Sequence, residues 1–297
     1  MASTRDIRRR IKSVKNTSQI TKAMQLVAAA KMKKAQDQAV AGRPYADMMN
    51  QVLVSLKDKI DETAHAFFSL GAGTKELVLV ITSDKGLCGA LNTNLLRKVF
   101  QSCPGAEFDF ISLGRKGSQQ LSRLQKNLTA EFSIKDPAKF ADIRTIGNYL
   151  QEKFLTGEYR SVKVAFSNFV NTVTVLPMLE TLLPVNPVTL GGKRSYEGMG
   201  SALEVKEATG LNAQYTFEPN PTEVFQAILP QYVNNTLFQM LLESRASEHS
   251  SRMVAMKNAT DNAKQMLKDL SLEYNKLRQA SITNELLEIT TAKMALE

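Results

Sequence analysis

The segment SDKGLCGALN, Ser83 to Asn92, comes nearest to a chemical motif in this chain. It follows an apolar run, ELVLVIT (Glu76 to Thr82), and opens a helical stretch. Glycines at such a turn let backbone N–H groups close on an anion at a helix N-terminus. The signal is incomplete: there is no Gly-x-Gly-x-x-Gly, and no Lys-Ser/Thr pair follows Gly86 and Gly89 to make a P-loop. The spacing therefore reads as a tight strand-to-helix turn. His65 and His249 are the only histidines and Cys88 and Cys103 the only cysteines, far apart in sequence. Both histidines are expected in helical, partly charged surroundings, and no spacing suggests a metal site or a nucleophile with its base. No catalytic, metal or cofactor-binding residue is assigned, and Cys88 reads as a small buried residue beside the turn.

Charge is the second feature that could act. The formal net charge is +9, and Met1 to Arg43 supplies all of it: eleven basic residues, Arg8, Arg9, Arg10, Lys31, Lys33 and Lys34 among them, against Asp6 and Asp37. Such an arm could meet a nucleic acid, an anionic membrane or an acidic protein surface. It holds no aromatic residue before Tyr45, and no nucleic-acid recognition motif follows, which favours a solvated or protein-facing helix. Two cysteines do not make a disulfide scaffold, so a reducing compartment is expected. No apolar run approaches the roughly 18 residues of a membrane span. The basic start lacks the apolar stretch of a secretory signal.

The positioning elements follow from glycine and proline. Neither occurs in Met1–Ala41 or Gln231–Glu297, while all 15 Gly and 9 Pro lie between, so both ends read as long helices around a compact middle. After Pro230 the remaining residues would make a rod on the order of 100 Å long, which needs a partner. Coiled-coil spacing of 4 and 3 appears at Ile7, Ile11 and Val14, at Ile20, Met24 and Val27, at Leu237, Leu241 and Ser244, and at Ile282, Leu286 and Ile289. Between these patches, Ala28–Ala30, Ser247–Ser251 and Asn258–Asn262 offer a poor seam of small and polar residues. In the middle, strands are expected at Glu76–Thr82, Phe108–Leu113, Val162–Asn168 and around Thr172–Leu183. Helices are expected at Leu91–Gln101, Lys116–Gln125 and Pro137–Leu155. That alternation predicts a small Rossmann-like α/β domain with a largely parallel sheet. Asn186–Asn220 reads as a loop. The domains expected are 1–70 (N-terminal helix and following helical segment), 71–220 (α/β domain with loop) and 221–297 (C-terminal helix).

Five segments carry a family resemblance: IRRRIKSVKNTSQITKAMQLVAAAKMKKAQ (Ile7–Gln36), the GRPYAD turn (Gly42–Asp47), SDKGLCGALN, SRMVAMKNATDNA (Ser251–Ala263) and YNKLRQASITNELLEI (Tyr274–Ile289). In order along the whole chain, they resemble the gamma subunit of rotary, proton-driven ATP synthases. The resemblance implies that the terminal helices form an antiparallel coiled coil. It also implies a single copy of this shaft turning inside three alpha and three beta subunits, on a foot with the epsilon subunit and the c-ring. It implies a non-catalytic subunit without nucleotide or nucleic-acid binding, peripheral on the cytoplasmic face of a bacterial inner membrane or the equivalent organellar face. Carried over by motif, Arg8, Arg9, Arg10, Met24, Arg252, Gln279 and Thr283 face the beta subunit. Tyr215, Phe217, Glu218, Lys31, Lys33 and Lys34 belong to the foot and c-ring contact. Ile282, Leu286, Ile289 and Met294 form a tip held by an apolar collar. The family pairing puts Met24 near Arg252, so residue numbers across the coil would sum to about 276 and residues beyond roughly 275 would lack a partner. No inserted dithiol segment accompanies Cys88 and Cys103, so thiol switching is not expected. The Gly-rich stretch near Leu190–Gly200 is longer than the family pattern. Two other readings stay open from the residues alone: a basic nucleic-acid-binding protein with an α/β domain, and a nucleotide-binding α/β enzyme.

Overall fold

A Gly- and Pro-free start gives α1, Thr4–Lys57, which does not stop where the first glycine appears. Gly42, Pro44 and the rest of GRPYAD, expected as a turn, continue as helix. Proline forfeits one backbone hydrogen bond there, and tertiary contacts outweigh the loss. A Cβ at Gly42 would lie 2.9 Å from Gln239 Nε2. The Tyr45 hydroxyl donates to Gln231 Oε1 at 3.4 Å, and beyond it Met49, Leu53 and Leu56 enter the main core. Gly42 thus marks a close approach of two helices, not a break. The computed structural model describes residues 4–57, 65–105, 107–185 and 217–296. Tyr215, the stretch near Leu190–Gly200 and most of the loop expected over Asn186–Asn220 lie outside the described residues.

After α1 come β1 (Lys75–Ile81), α2 (Leu91–Ser102), β2 (Phe108–Leu113), α3 (Arg115–Arg123), β3 (Leu128–Phe132), α4 (Phe140–Leu155), β4 (Tyr159–Phe169), β5 (Val175–Leu183) and α5 (Pro221–Leu296). The sheet order is β3-β2-β1-β4-β5. The first four strands are parallel, and β5 runs antiparallel to β4. β1 shows why the sheet is buried on both faces. Leu77, Leu79 and Ile81 join one core with α4 and parts of α1 and α5, while Val78 and Val80 join the other with α2 and α3. β3 was not expected from sequence. It is a short edge strand whose side chains alternate between half-buried and exposed, so it lacks the apolar run that marks β1. His65 lies in a bend rather than a helix, edge-on to Phe67 and Phe225. α5 begins before Pro230: Asn220 Oδ1 accepts from Glu223 N at 2.9 Å, and the Asn220 amide donates to Glu223 Oε1 at 2.7 Å. This reciprocal cap sets the helix start at Pro221.

The chain divides into two compact units, Met1–Ala28 with Met253–Glu297, and Ala29–Arg252. In the first, α1 and α5 pair antiparallel through a strict 4-3 repeat. On α1 the inward positions are Ile7, Ile11, Val14, Ser18, Thr21, Gln25 and Ala28; on α5 they are Met256, Thr260, Ala263, Leu267, Leu270, Tyr274 and Leu277. This corrects the patch expected at Ile20, Met24 and Val27. Ile20 is 60% and Val27 57% exposed, because the register that starts at Ile7 passes through Thr21 and Ala28 instead. Thr21 and Thr260 share a buried 2.7 Å hydrogen bond, so opposed numbers sum to 281 rather than 276, level with Lys257 for Met24. On that register Thr4, the first described residue, meets Leu277, and 278–294 are exposed all round. The apolar residues Ile282, Leu286 and Ile289 are therefore not a seam with α1; all three are exposed.

In the second unit the 4-3 repeat of α1 runs on through Met32, Ala35, Ala39 and Gly42. Ala35 and Ala39 pack with Phe169, Leu242 and Ala246. From Met240 to Ser250, α5 is buried on every side. The small polar residues read as a poor seam act here as anchors: Ser247 Oγ donates to Ser167 O at 2.8 Å and Ser250 Oγ to Thr172 O at 2.7 Å, both at the end of β4 or just beyond it. A buried helix can be polar if its side chains are satisfied by the body around it.

Candidate functional site

The turn after β1 is closed by its own side chains. Ser83 N donates to Asn92 Oδ1 at 3.2 Å, the Asn92 amide donates to Ser83 Oγ at 2.7 Å, and Ser83 Oγ donates to Lys85 O at 2.8 Å. Cys88, 3% exposed, lies beneath, with its sulfur 3.6 Å from Ser83 Oγ. At the neighbouring strand end, Thr82 Oγ1 accepts from Gly117 N at 2.9 Å, and a Cβ on Gly114 would fall 2.3 Å from Thr82 O. The polar groups at the carboxyl ends of β1 and β2 are thus spent on one another. What the turn offers outward is its tip, where Leu87 and Gly89 have positive φ (64° and 60°) and Leu87 is exposed.

α5 presents charge to this turn. The Glu248 carboxylate accepts from Arg252 Nη2 at 2.8 Å through Oε1 and from Arg245 Nη1 at 3.0 Å through Oε2. Arg252 Nη2 also donates to Lys85 O at 3.1 Å, and its Nε and Nη2 each reach Gly86 O at 3.3 Å. Arg245 Nη2 donates to Ile134 O at 2.8 Å. One turn along, His249 Nε2 faces Asp136 Oδ2 at 3.3 Å, and Lys31 of α1 donates to the same oxygen at 2.7 Å. Since Arg252 Nη1, 3.5 Å from His249 Nδ1, can only donate, a neutral ring carries its proton on the nitrogen facing Asp136. Contact with His249, and then with Lys31, holds the Asp136 carboxyl well below the usual carboxylate range, against a partial desolvation that pushes the other way.

The residues singled out from sequence fall into separate places. Arg8, Arg9 and Arg10 are exposed on α1 around the inward Ile7, and Met24 is half-buried. Gln279 and Thr283 lie on the exposed end of α5, where Thr283 Oγ1 donates back to Gln279 O at 2.9 Å. Met294 is exposed on the same end. Phe217 packs against the main core and Glu218 is exposed beside it. Lys33 and Lys34 are exposed, whereas Lys31 is engaged with Asp136. Arg252 is not a free cation but the centre of the turn contact. Sequence reasoning missed Glu248, Arg245 and Asp136. The i, i+3 and i, i+4 spacing of Arg245, Glu248 and Arg252 was visible, but their common burial was not.

The chain matches the family model described as ATP synthase over residues 3–296. It is 48% identical over 297 residues to the ATP synthase gamma chain of Akkermansia muciniphila, covering all of both chains. To that of Opitutus terrae it is 46% identical over 295 residues, covering 99% of each. Among solved structures it is similar to a chain of the Tetrahymena thermophila mitochondrial ATP synthase central stalk and c-ring. The TM-score is 0.60 at 28% identity, over 81% of this chain and 99% of the other. A chain of the Euglena gracilis mitochondrial ATP synthase, at 22% identity, shares the fold with a TM-score of 0.67 over 99% and 94% of the two chains.

Proposed function

This chain belongs to the family of ATP synthase gamma chains, and from that premise we propose how its parts divide the work of a central-stalk rotor. It is the subunit that carries torque between the membrane ring and the catalytic head. One copy turns as a non-catalytic shaft inside three alpha and three beta subunits, stands with the epsilon subunit on the c-ring, and lies on the cytoplasmic face of a bacterial inner membrane or its organellar equivalent. The segments 1–70 and 221–297 serve as the shaft and 71–220 as the foot.

The observation that carries this division is the seam of α1 and α5. A shaft that rotates in a sleeve must hold its own two helices together while binding no single orientation of the sleeve strongly. The inward residues Thr21, Gln25, Ala28, Thr260 and Ala263 meet the first half of that demand, since they let the two helices approach closely. Arg8, Arg9 and Arg10 attract the beta subunits' acidic levers at every angle, because attraction between net charges has no preferred direction. Met24, Gln279 and Thr283 touch the levers at closer range, as does Arg252 from the turn contact. Ile282, Leu286, Ile289 and Met294 steady the unpaired tip in an apolar collar. Tyr215, Phe217 and Glu218 form the c-ring contact; Lys33 and Lys34 are assigned to it by the family resemblance, and Lys31 is tied to Asp136.

The test is affinity purification of the tagged chain from its own host membranes. Alpha and beta subunits should come with it in threefold excess. Recovery of the chain without them, or with nucleic acid retained in a salt-sensitive way, would sink the rotor assignment.

A further inference from the structure

We infer that Arg252, Glu248 and Arg245 are positioning residues that staple the Lys85–Gly89 turn to α5, so that turn and helix advance as one body. The geometry stands by itself; the consequence for torque rests on the rotor reading. Each oxygen of the Glu248 carboxylate takes one guanidinium, at 2.8 Å and 3.0 Å. The Arg252 Nη2 that holds Glu248 also donates to Lys85 O, and Nε and Nη2 together reach the next backbone oxygen, Gly86 O. A planar fork can reach both at once while keeping Glu248; a lysine ammonium cannot hold that pattern. Arg245 completes the frame by bonding Ile134 O and standing 3.9 Å from Asp84 at the root of the turn.

Little else fixes the tip. A Cβ at Gly86 or Gly89 would meet nothing within 4 Å, and Leu87 is 61% exposed with φ 64°, a left-handed conformation that a leucine adopts only when held. Ser83 and Asn92 secure the base, and from there Ser83 Oγ donates to Lys85 O and the Asn92 amide to Cys88 Sγ at 3.4 Å, whereas the bonds to Gly86 O come from Arg252. A buried Arg–Glu–Arg triad is a poor way to add stability, since apolar side chains of the same volume do as well. Its specific contribution is direction. A tip that trailed its helix would absorb part of each rotary step as slack.

Cys88 reports on the tip directly, because it is buried beneath the turn, while Cys103, fully buried in the core under α2, serves as an internal control. In the full-length chain, Arg252→Met and Glu248→Gln should raise the rate of Cys88 alkylation by maleimide about tenfold or more, as expected for losing one charge-assisted hydrogen bond from a local opening equilibrium, with Cys103 unchanged. Arg252→Lys should behave like Arg252→Met. An unchanged Cys88 rate overturns the staple, and so does equal acceleration of both thiols, since the triad would then hold the whole unit and not the turn. The functional half is read in the assembled ATP synthase carrying Glu248→Gln, whose side chain is buried. Protons pumped per ATP hydrolysed in inverted vesicles should fall, and a ratio equal to wild type refutes the torque role. Failure of the wild-type chain to assemble would count against the rotor reading, while the alkylation result still decides the staple.

Discussion

Asp136 shows how much a single side chain gathers in this protein. It lies in the loop between β3 and α4, yet its carboxylate is met by Lys31 of α1 and His249 of α5. Because the folded state holds this carboxyl below its unfolded value, ionised Asp136 contributes stability above about pH 4, the ordinary aspartate range. That contribution is lost as pH falls from there towards the folded value. Asp136→Asn should therefore lower the unfolding free energy at pH 7, and the gap to wild type should close below about pH 4. The expected size is about 1 kcal/mol, modest because Lys31 and Asp136 both keep partial contact with water. Urea unfolding across pH 3 to 7 checks it; a gap that widened in acid would mean the carboxyl is not stabilised in its charged form. None of this was legible in the sequence, where Lys31 was one of many basic residues. Ser247 and Ser250 likewise read as weak packing in the sequence, since a hydroxyl's acceptor lies in a distant strand or loop that only the fold brings near.

Elements were far easier to read than their pairing. β1, β2, α2 and α4 announce themselves through apolar runs or helical periodicity, and β2 begins and ends where the pattern does. GRPYAD misled because proline and glycine usually end a helix, and here packing against Gln231 and Gln239 overrides them. The coil register misled for a related reason. Ile20 and Val27 are the larger apolar residues, but a seven-residue repeat is set by its phase, and the phase fixed at Ile7 selects Thr21 and Ala28. Paired substitutions separate the two registers. Ile20→Gln should change stability by less than about 0.5 kcal/mol, as at an exposed site. Ala28→Leu, at a closely packed position, should cost about 1–3 kcal/mol through overpacking. The reverse order in thermal unfolding would restore the register expected from residue size.

At the scale of the whole molecule, the neutral middle and the basic arm divide charge from structure. Past Leu277 α5 meets no described residue of α1, and its exposed Ile282, Leu286, Leu287, Ile289 and Met294 make the apolar bearing proposed above for a collar. Truncation after Leu277 removes that bearing and leaves the described seam whole. Assembled complexes should still hydrolyse ATP and turn, with reduced torque in single-molecule rotation; complete loss of rotation would place the drive itself in the tip. The arm poses the opposite problem, since its charge surrounds the seam without entering it. Arg8, Arg9 and Arg10 are exposed, so their attraction to acidic levers would act through solvent and fade over a Debye length of about 10 Å at 0.1 M salt. Neutralising all three to Gln removes 3 of the chain's +9 without touching Ile7 or Ile11. If the arm steers the levers, coupling of hydrolysis to proton pumping should drop at low ionic strength. The difference from wild type should shrink towards zero as salt rises, because wild type then loses the same attraction to screening. Coupling unchanged at both low and high salt would reduce the arm's charge to a solvating role, and a deficit that persisted at high salt would point to short-range hydrogen bonds from the guanidinium groups instead of their long-range field.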